Sequence, residues 1–287
     1  APSGSRLPQR TTAADAARIA EPARGIRRNQ HNEVFFMKQI HGIFAVTVTH
    51  FQENGEIDYA ACAKHINWLI ESGVHGLLPL GATGEFSALT LEERKAFAEF
   101  AMKEVAGRVP VIIGAVSTNV DVTLEVAKHA ASIGADGVMI LPPPGLHPSQ
   151  DEIYAFYKHI SENVTLPVMI YNNPGSSGVN ILPETLDKIV MGAKAWVCVL
   201  ANVAPAQSAR LYDLIVNQGK LEEARALYRQ ILPLLRLTEE TGELWQIVKY
   251  ILKQRGFGTG TLRLPRQPIS EGVKAQLDEL LGKADFA

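Results

Sequence analysis

Two stretches of the 287-residue chain carry residue types suited to handling a small polar substrate. The first is Gly81-Ala-Thr-Gly-Glu-Phe86. Its two glycines let the backbone turn tightly and present N–H groups, and Thr83 adds a hydroxyl, which together form a cradle for a carboxylate. Glu85 would spoil that cradle by pointing inward, so it is expected to turn away and tie the loop down. A tight turn with no ligand is the alternative. The second stretch is Tyr171-Asn-Asn-Pro-Gly-Ser-Ser-Gly178. A tyrosine at the mouth of a barrel can pass a proton to or from a substrate, or can simply hydrogen-bond to the rim. The Pro-Gly after it is an ordinary turn.

Both stretches follow apolar, β-branched runs, and such runs alternate with helix-period segments along most of the chain. That alternation marks βαβ units and a parallel sheet. The runs are Gly42–Thr49, Gly76–Leu80, Val109–Val116, Gly137–Leu141, Leu166–Tyr171 and Ala195–Leu200. The intervening helices are expected over Tyr59–Ser72, from Thr90 with Glu93 closing a capping box, over Asp121–Ile133, over Ser149–Asn163 and from near Pro183. From Pro205 the pattern is helical only. Segments over Pro205–Asn217, Leu221–Leu237, Glu243–Gln254 and Ser270–Lys283 carry an apolar face, with Leu227, Ile231, Leu234 and Leu235 on one of them. Six parallel strands are two short of a closed barrel of the TIM type. The (β/α) barrel is preferred over an open doubly wound sheet, because no run ends in a Gly-x-Gly-x-x-Gly turn.

The bulk properties are those of a globular protein. A net charge of -2 gives no reason to expect nucleic acid, and no apolar run is long enough to span a membrane. Cys62 and Cys198 lack metal-ligand spacing and read as inert core thiols in a reducing compartment. No cluster of His, Asp and Glu falls at the strand ends, so no metal is expected and a metal-dependent aldolase is set aside. Residues 1–38 are arginine-rich and acid-poor, with no apolar period. They read as a disordered leader or upstream extension, with a targeting segment as the alternative. The barrel is expected over residues 39–204. The last barrel helix and a helical region follow over 205–287.

Gly-x-Thr-Gly-Glu after the second strand and Tyr-Asn-x-Pro-x-x-x-Gly after the fifth resemble the dihydrodipicolinate synthase and N-acetylneuraminate lyase family of pyruvate-handling class I aldolases. Pro148-Ser149-Gln150, Ala201-Asn-Val-Ala-Pro205, Leu262-Arg-Leu-Pro265 and Pro268-Ile269 agree with it. The resemblance implies a cytoplasmic homotetrameric lyase that needs no cofactor. In such enzymes a lysine forms an imine with pyruvate or another 2-keto acid. It further implies that Gly81, Ala82 and Thr83 hold the substrate carboxylate, that Tyr171 relays the proton, and that the backbone of Val197 borders the site.

The chain departs from that family in four respects. Ser176 stands where the synthases have an arginine for the second substrate's carboxylate, and serine cannot make a bidentate charged contact. Pro142-Pro-Pro-Gly-Leu-His147 replaces a stretch with a second tyrosine, and Ala82 replaces a hydroxyl residue. These differences fit a sugar-acid lyase or dehydratase branch better than a true synthase.

The fourth departure removes the nucleophile. Pro183–Val190 runs directly into Met191-Gly-Ala-Lys194, which matches the approach to the family's eighth strand. About 45 residues, one and a half β/α units, are absent there, and the Schiff-base lysine belongs to them. None of the six strand runs contains a lysine. Lys194 precedes the last strand, at the opposite face, and Lys188 sits on a helix. Two functions remain open. One is a lyase whose full-length form uses the missing lysine. The other is a catalytically inactive paralogue or deletion variant that binds a keto acid or serves as a subunit.

Overall fold

The computed structural model describes residues 26–28, 34–36, 40–182, 184–185, 189 and 195–283. The expected helix near Pro183 lies largely outside these residues, and the Val190–Met191 junction lies wholly outside them. The chain divides into two compact units, residues 1–38 and 39–287. In the first unit, β1 (Ile26–Arg28) and β2 (Val34–Phe36) pair as a short antiparallel ribbon.

Among the described residues the second unit contains six parallel strands: β3 (Gly42–Ala45), β4 (Gly76–Leu77), β5 (Ile112–Gly114), β6 (Gly137–Ile140), β7 (Val168–Ile170) and β8 (Ala195–Cys198). They form two three-stranded ladders, β8-β3-β4 and β5-β6-β7, joined by a parallel bridge between Leu77 and Val111. The last strand therefore pairs beside the first, with Phe44 opposite Val197, and the others follow in chain order. That is the order of a barrel wound in one direction, and it decides against a doubly wound sheet, whose strand order reverses. Among the described residues no ladder joins β7 to β8. The three residues of β7 are half-buried, whereas those of β3, β5 and β6 are buried throughout.

Strand alternation separates two cores, as the pleat requires. Phe44, Val46, Leu78, Ile112 and Met139 pack together inside, with Ile40, Met169 and Tyr171 against them. Ile43, Ala45, Leu77, Ile113, Val138 and Ile140 face outward into the helices. Gly76 is required by this packing, because a Cβ there would lie 2.1 Å from the Phe44 ring.

The outer helices are α1 (Tyr59–Glu71), α2 (Leu91–Val105), α3 (Val120–Ser132) and α4 (Gln150–Asn163), followed by the single turn α5 (Pro174–Ser177). Asp58 caps α1 by accepting from the Ala61 N–H. Capping boxes start α2, from Thr90 and Glu93, and α4, from Ser149 and Glu152. The tail continues with α6 (Pro205–Tyr212), α7 (Leu221–Glu240), α8 (Leu244–Gln254) and α9 (Glu271–Lys283). Ile231 and Leu234 of α7 are buried in the outer core, with Leu227 and Leu235 half-buried against it. Among the described residues no helix is long and apolar enough to cross a membrane.

Candidate functional site

Strands β3 to β6 direct their C-terminal ends to one face, and the two sequence segments of interest lie there. Leu80 takes a left-handed backbone (φ 62°), and the chain then turns through Ala82–Gly84 in a single tight 3-10 turn. Gly81 packs directly on the inward-facing Val46, with room for no Cβ, since one would lie 2.4 Å from Val46 Cγ1. The turn's own hydrogen bonds use the Gly84 N–H, to the Gly81 carbonyl, and the Glu85 N–H, to the Ala82 carbonyl. The N–H groups of Ala82 and Thr83 precede these and are not used by the turn. Thr83 is buried and Ala82 half-buried. The Thr49 hydroxyl donates to the Gly84 carbonyl at 2.8 Å, tying the loop to the end of the first barrel strand.

Glu85 does turn away from the cradle. It is fully buried, with a left-handed backbone, and its carboxylate is ion-paired with Lys249 of α8. It also accepts from the Arg263 backbone N–H at 3.3 Å and lies 4.0 Å from Arg266. Lys249 Nζ donates to the Thr261 carbonyl at 2.8 Å and sits over the Phe51 ring. Burial pushes the Lys249 ammonium below its usual range, and Glu85 opposes that shift. Arg263 clasps Glu93 through both terminal nitrogens and donates to the carbonyls of Gly55 and Ala88. Trp245, also on α8, donates its indole N–H to the Ala82 carbonyl at 2.8 Å.

Tyr171 follows β7 and packs on the inner cluster, and its hydroxyl accepts from the Asn173 side-chain amide at 2.5 Å. Asn173 Oδ1 in turn caps α5 by accepting from the Ser176 N–H. Of the predicted site residues, Gly81 and Tyr171 therefore contact one inner cluster, while Ala82 and Thr83 form the turn beside it. Val197 is brought to the strand next to Phe44 by its backbone pairing.

A second polar group lies behind the end of the first barrel strand. His50 Nε2 meets His65 Nδ1 at 3.2 Å, and His65 Nε2 meets the Asn202 carbonyl at 3.3 Å. A carbonyl only accepts, so His65 carries its proton on Nε2 and His50 donates from its own Nε2. Both rings are buried, and burial lowers both from the usual histidine range, His65 to about 4. Cys62 accepts from the His50 N–H, and burial pushes its thiol up to about 12, the state of an unreactive core cysteine.

Sequence reasoning missed Trp245, Lys249, Asn173 and the histidine pair. Lys249 and Trp245 act across more than 160 residues of chain. Only the run Gln246–Leu252, apolar on both sides of Lys249, marks that position as other than a surface charge. Among the described residues no group of three or more His, Cys, Asp or Glu side chains could hold a metal ion.

The strand order and the placement of these groups define a parallel (β/α) barrel protein of the TIM type, incomplete on one side among the described residues. The chain belongs to the dihydrodipicolinate synthetase family of lyases, whose family model matches residues 39–191 and 185–284. It is 34% identical to a 4-hydroxy-tetrahydrodipicolinate synthase of Kosmotoga olearia over 281 residues, covering 81% of this chain and 94% of the relative. A synthase of the same name from Thermotoga maritima is 32% identical, with 84% and 97% covered. Among solved structures, a Thermotoga maritima dihydrodipicolinate synthase superposes with a TM-score of 0.79 at 30% identity, over 86% of this chain and 99% of that one. A prophage protein of the family from E. coli K12, solved in complex with pyruvate, gives a TM-score of 0.79 at 27% identity, over 87% and 100%.

Proposed function

We propose that this chain binds a 2-keto acid of the pyruvate type at the strand-end face and forms no imine with it, the Schiff-base lyase reaction belonging to a full-length form. The observation that carries the proposal is the retained carboxylate loop. Gly81–Gly84 is locked from behind by Glu85, Lys249 and Trp245, and Tyr171 packs on the same inner cluster as Gly81. In this reading the N–H groups of Ala82 and Thr83 receive the substrate carboxylate. The Tyr171 hydroxyl accepts from Asn173 and keeps its own proton to donate toward the substrate, and the Val197 backbone borders the site. The pyruvate complex of the E. coli prophage relative supports the ligand class.

The absent lysine segment is part of the same proposal. No strand run carries a lysine, and β7 and β8 are unpaired with each other among the described residues. The half-burial of β7 fits a strand that has lost its neighbour. The family model matches in two pieces that meet at residues 185–191, and 281 aligned positions use only 81% of this chain, so positions of the relative lack a counterpart here. A family-type homotetramer in the cytoplasm remains the expected setting.

Intact mass before and after treatment with pyruvate and borohydride tests the proposal. A mass of 31.3 kDa, saturable pyruvate binding and no adduct are expected. An adduct trapped on a chain of that mass refutes the claim that it forms no imine. Absence of saturable binding refutes the claim that it retains the keto-acid site.

A further inference from the structure

Resting on the keto-acid reading, we propose that Trp245 is a positioning residue for the carboxylate loop, acting through the Ala82 carbonyl on the direction of the Thr83 N–H. The carbonyl of Ala82 and the N–H of Thr83 belong to one planar trans peptide and point in opposite directions. Trp245 Nε1 donates to that carbonyl at 2.8 Å from helix α8, so the Thr83 N–H is turned away from α8. The same carbonyl accepts from the Glu85 N–H at 3.0 Å, which occupies its second lone pair and fixes the peptide plane from both sides.

The indole is itself held. The Arg266 guanidinium lies over the Trp245 ring, 4.2 Å from its centroid, and also faces the Glu85 carboxylate at 4.0 Å. Glu85 is anchored by Lys249, one helical turn after Trp245 on the same face of α8. Two side chains of one helix therefore grip the two ends of the same turn, Trp245 at Ala82 and Lys249 at Glu85. A tryptophan needing only a partner for its N–H could have taken any rim carbonyl. The one it takes belongs to the peptide that presents a donor to the ligand.

Trp245→Phe keeps a ring for Arg266 and removes the donor. Amide hydrogen exchange and the ¹⁵N resonance of Thr83 are measured in the ligand-free chain, alongside affinity for pyruvate and for pyruvamide, which lacks the carboxylate. Loss of one neutral hydrogen bond at the loop is expected to weaken pyruvate binding about three- to tenfold. Pyruvamide affinity should stay unchanged, and the Thr83 amide should shift and exchange faster. Trp245→His, which retains a ring N–H, should restore part of both effects. An unmoved Thr83 amide overturns the proposal, as does equal weakening of both ligands with a fall in Tm. If the unsubstituted chain binds no pyruvate, the keto-acid reading fails, and the Thr83 amide still decides the role of Trp245.

Discussion

Lys249 and Glu85 form an ion pair in which the lysine side chain is 1% exposed and the glutamate 0%. The pair joins helix α8 to the loop after the second barrel strand, across more than 160 residues of sequence. Its charges are not left to each other alone. Glu85 also faces Arg266 and the Arg263 N–H, while Lys249 has the Thr261 carbonyl and the Phe51 ring.

That asymmetry ranks two substitutions. Breaking a buried pair strands the remaining charge and costs about 3–5 kcal/mol. Glu85→Gln leaves Lys249 with no ion-paired carboxylate among the described residues and should fall in that range. Lys249→Met leaves Glu85 near Arg266 and should cost less. The double variant Glu85→Gln, Lys249→Met should recover part of the loss. Urea unfolding of the three variants checks the order, and equal losses from both single changes would contradict it.

The histidine pair makes stability depend on pH. His65 is held down to about 4, chiefly by burial, with the Asn202 carbonyl opposing and Arg255 adding to the shift. His50 is lowered by burial, by His65 and by Lys249. Between pH 4 and the usual histidine value of about 6.5, the unfolded chain binds more protons than the folded one, so stability rises with pH through that window. The full contribution is present above it and is lost as the pH falls toward 4, on the order of 3 kcal/mol for His65. Urea midpoints at pH 5 and pH 7.5 should differ in that direction, and His65→Gln should flatten the difference. A midpoint unchanged between the two pH values in the unsubstituted chain defeats the account.

What the sequence made legible was local or periodic. The βα pitch is a repeat along the chain, and the capping box at Thr90 and the helix starts near Asp58 and Ser149 depend on residues within one turn of each other. The turning away of Glu85 was legible for a different reason: a carboxylate cannot share a cradle meant for another. Its partner was not, because a lysine inside a helix ordinarily signals a solvated face, and only the folded barrel brings α8 behind the loop. The same holds for Trp245, and for the His50–His65 contact between a strand end and α1. The barrel itself became certain only with the pairing of β8 beside β3, a relation between residues about 150 positions apart.

Gly114 offers a test of how closely the sheet is drawn together. A Cβ there would lie 2.1 Å from the Leu80 carbonyl oxygen and 2.5 Å from its carbon, both backbone atoms that cannot rotate aside. Leu80 already holds a left-handed backbone that leads into the Gly81–Gly84 turn. Gly114→Ala should therefore push β5 from the end of the second strand and destabilise the chain by about 3 kcal/mol, the upper end for one inserted methyl group. Gly272→Ala, where a Cβ meets nothing within 4 Å and the residue lies in the first turn of α9, is the control and should not destabilise, with a gain of up to about 1 kcal/mol from helix propensity. Thermal unfolding of the pair separates contact from any general effect of losing glycine.

Asn173 links the tyrosine to the short helix after it, and its two functions can be separated by substitution. Its Oδ1 caps α5 at Ser176 N, and its Nδ2 donates to the Tyr171 hydroxyl. Asn173→Asp keeps the cap acceptor and removes the donor, placing a carboxylate oxygen beside the phenol. Asn173→Ala removes both and should cost about 1 kcal/mol through the lost cap. The aspartate variant should keep most of that stability. Urea unfolding of both variants beside the unsubstituted chain checks the order, and equal losses from the two would mean that the Oδ1 cap is not what holds α5.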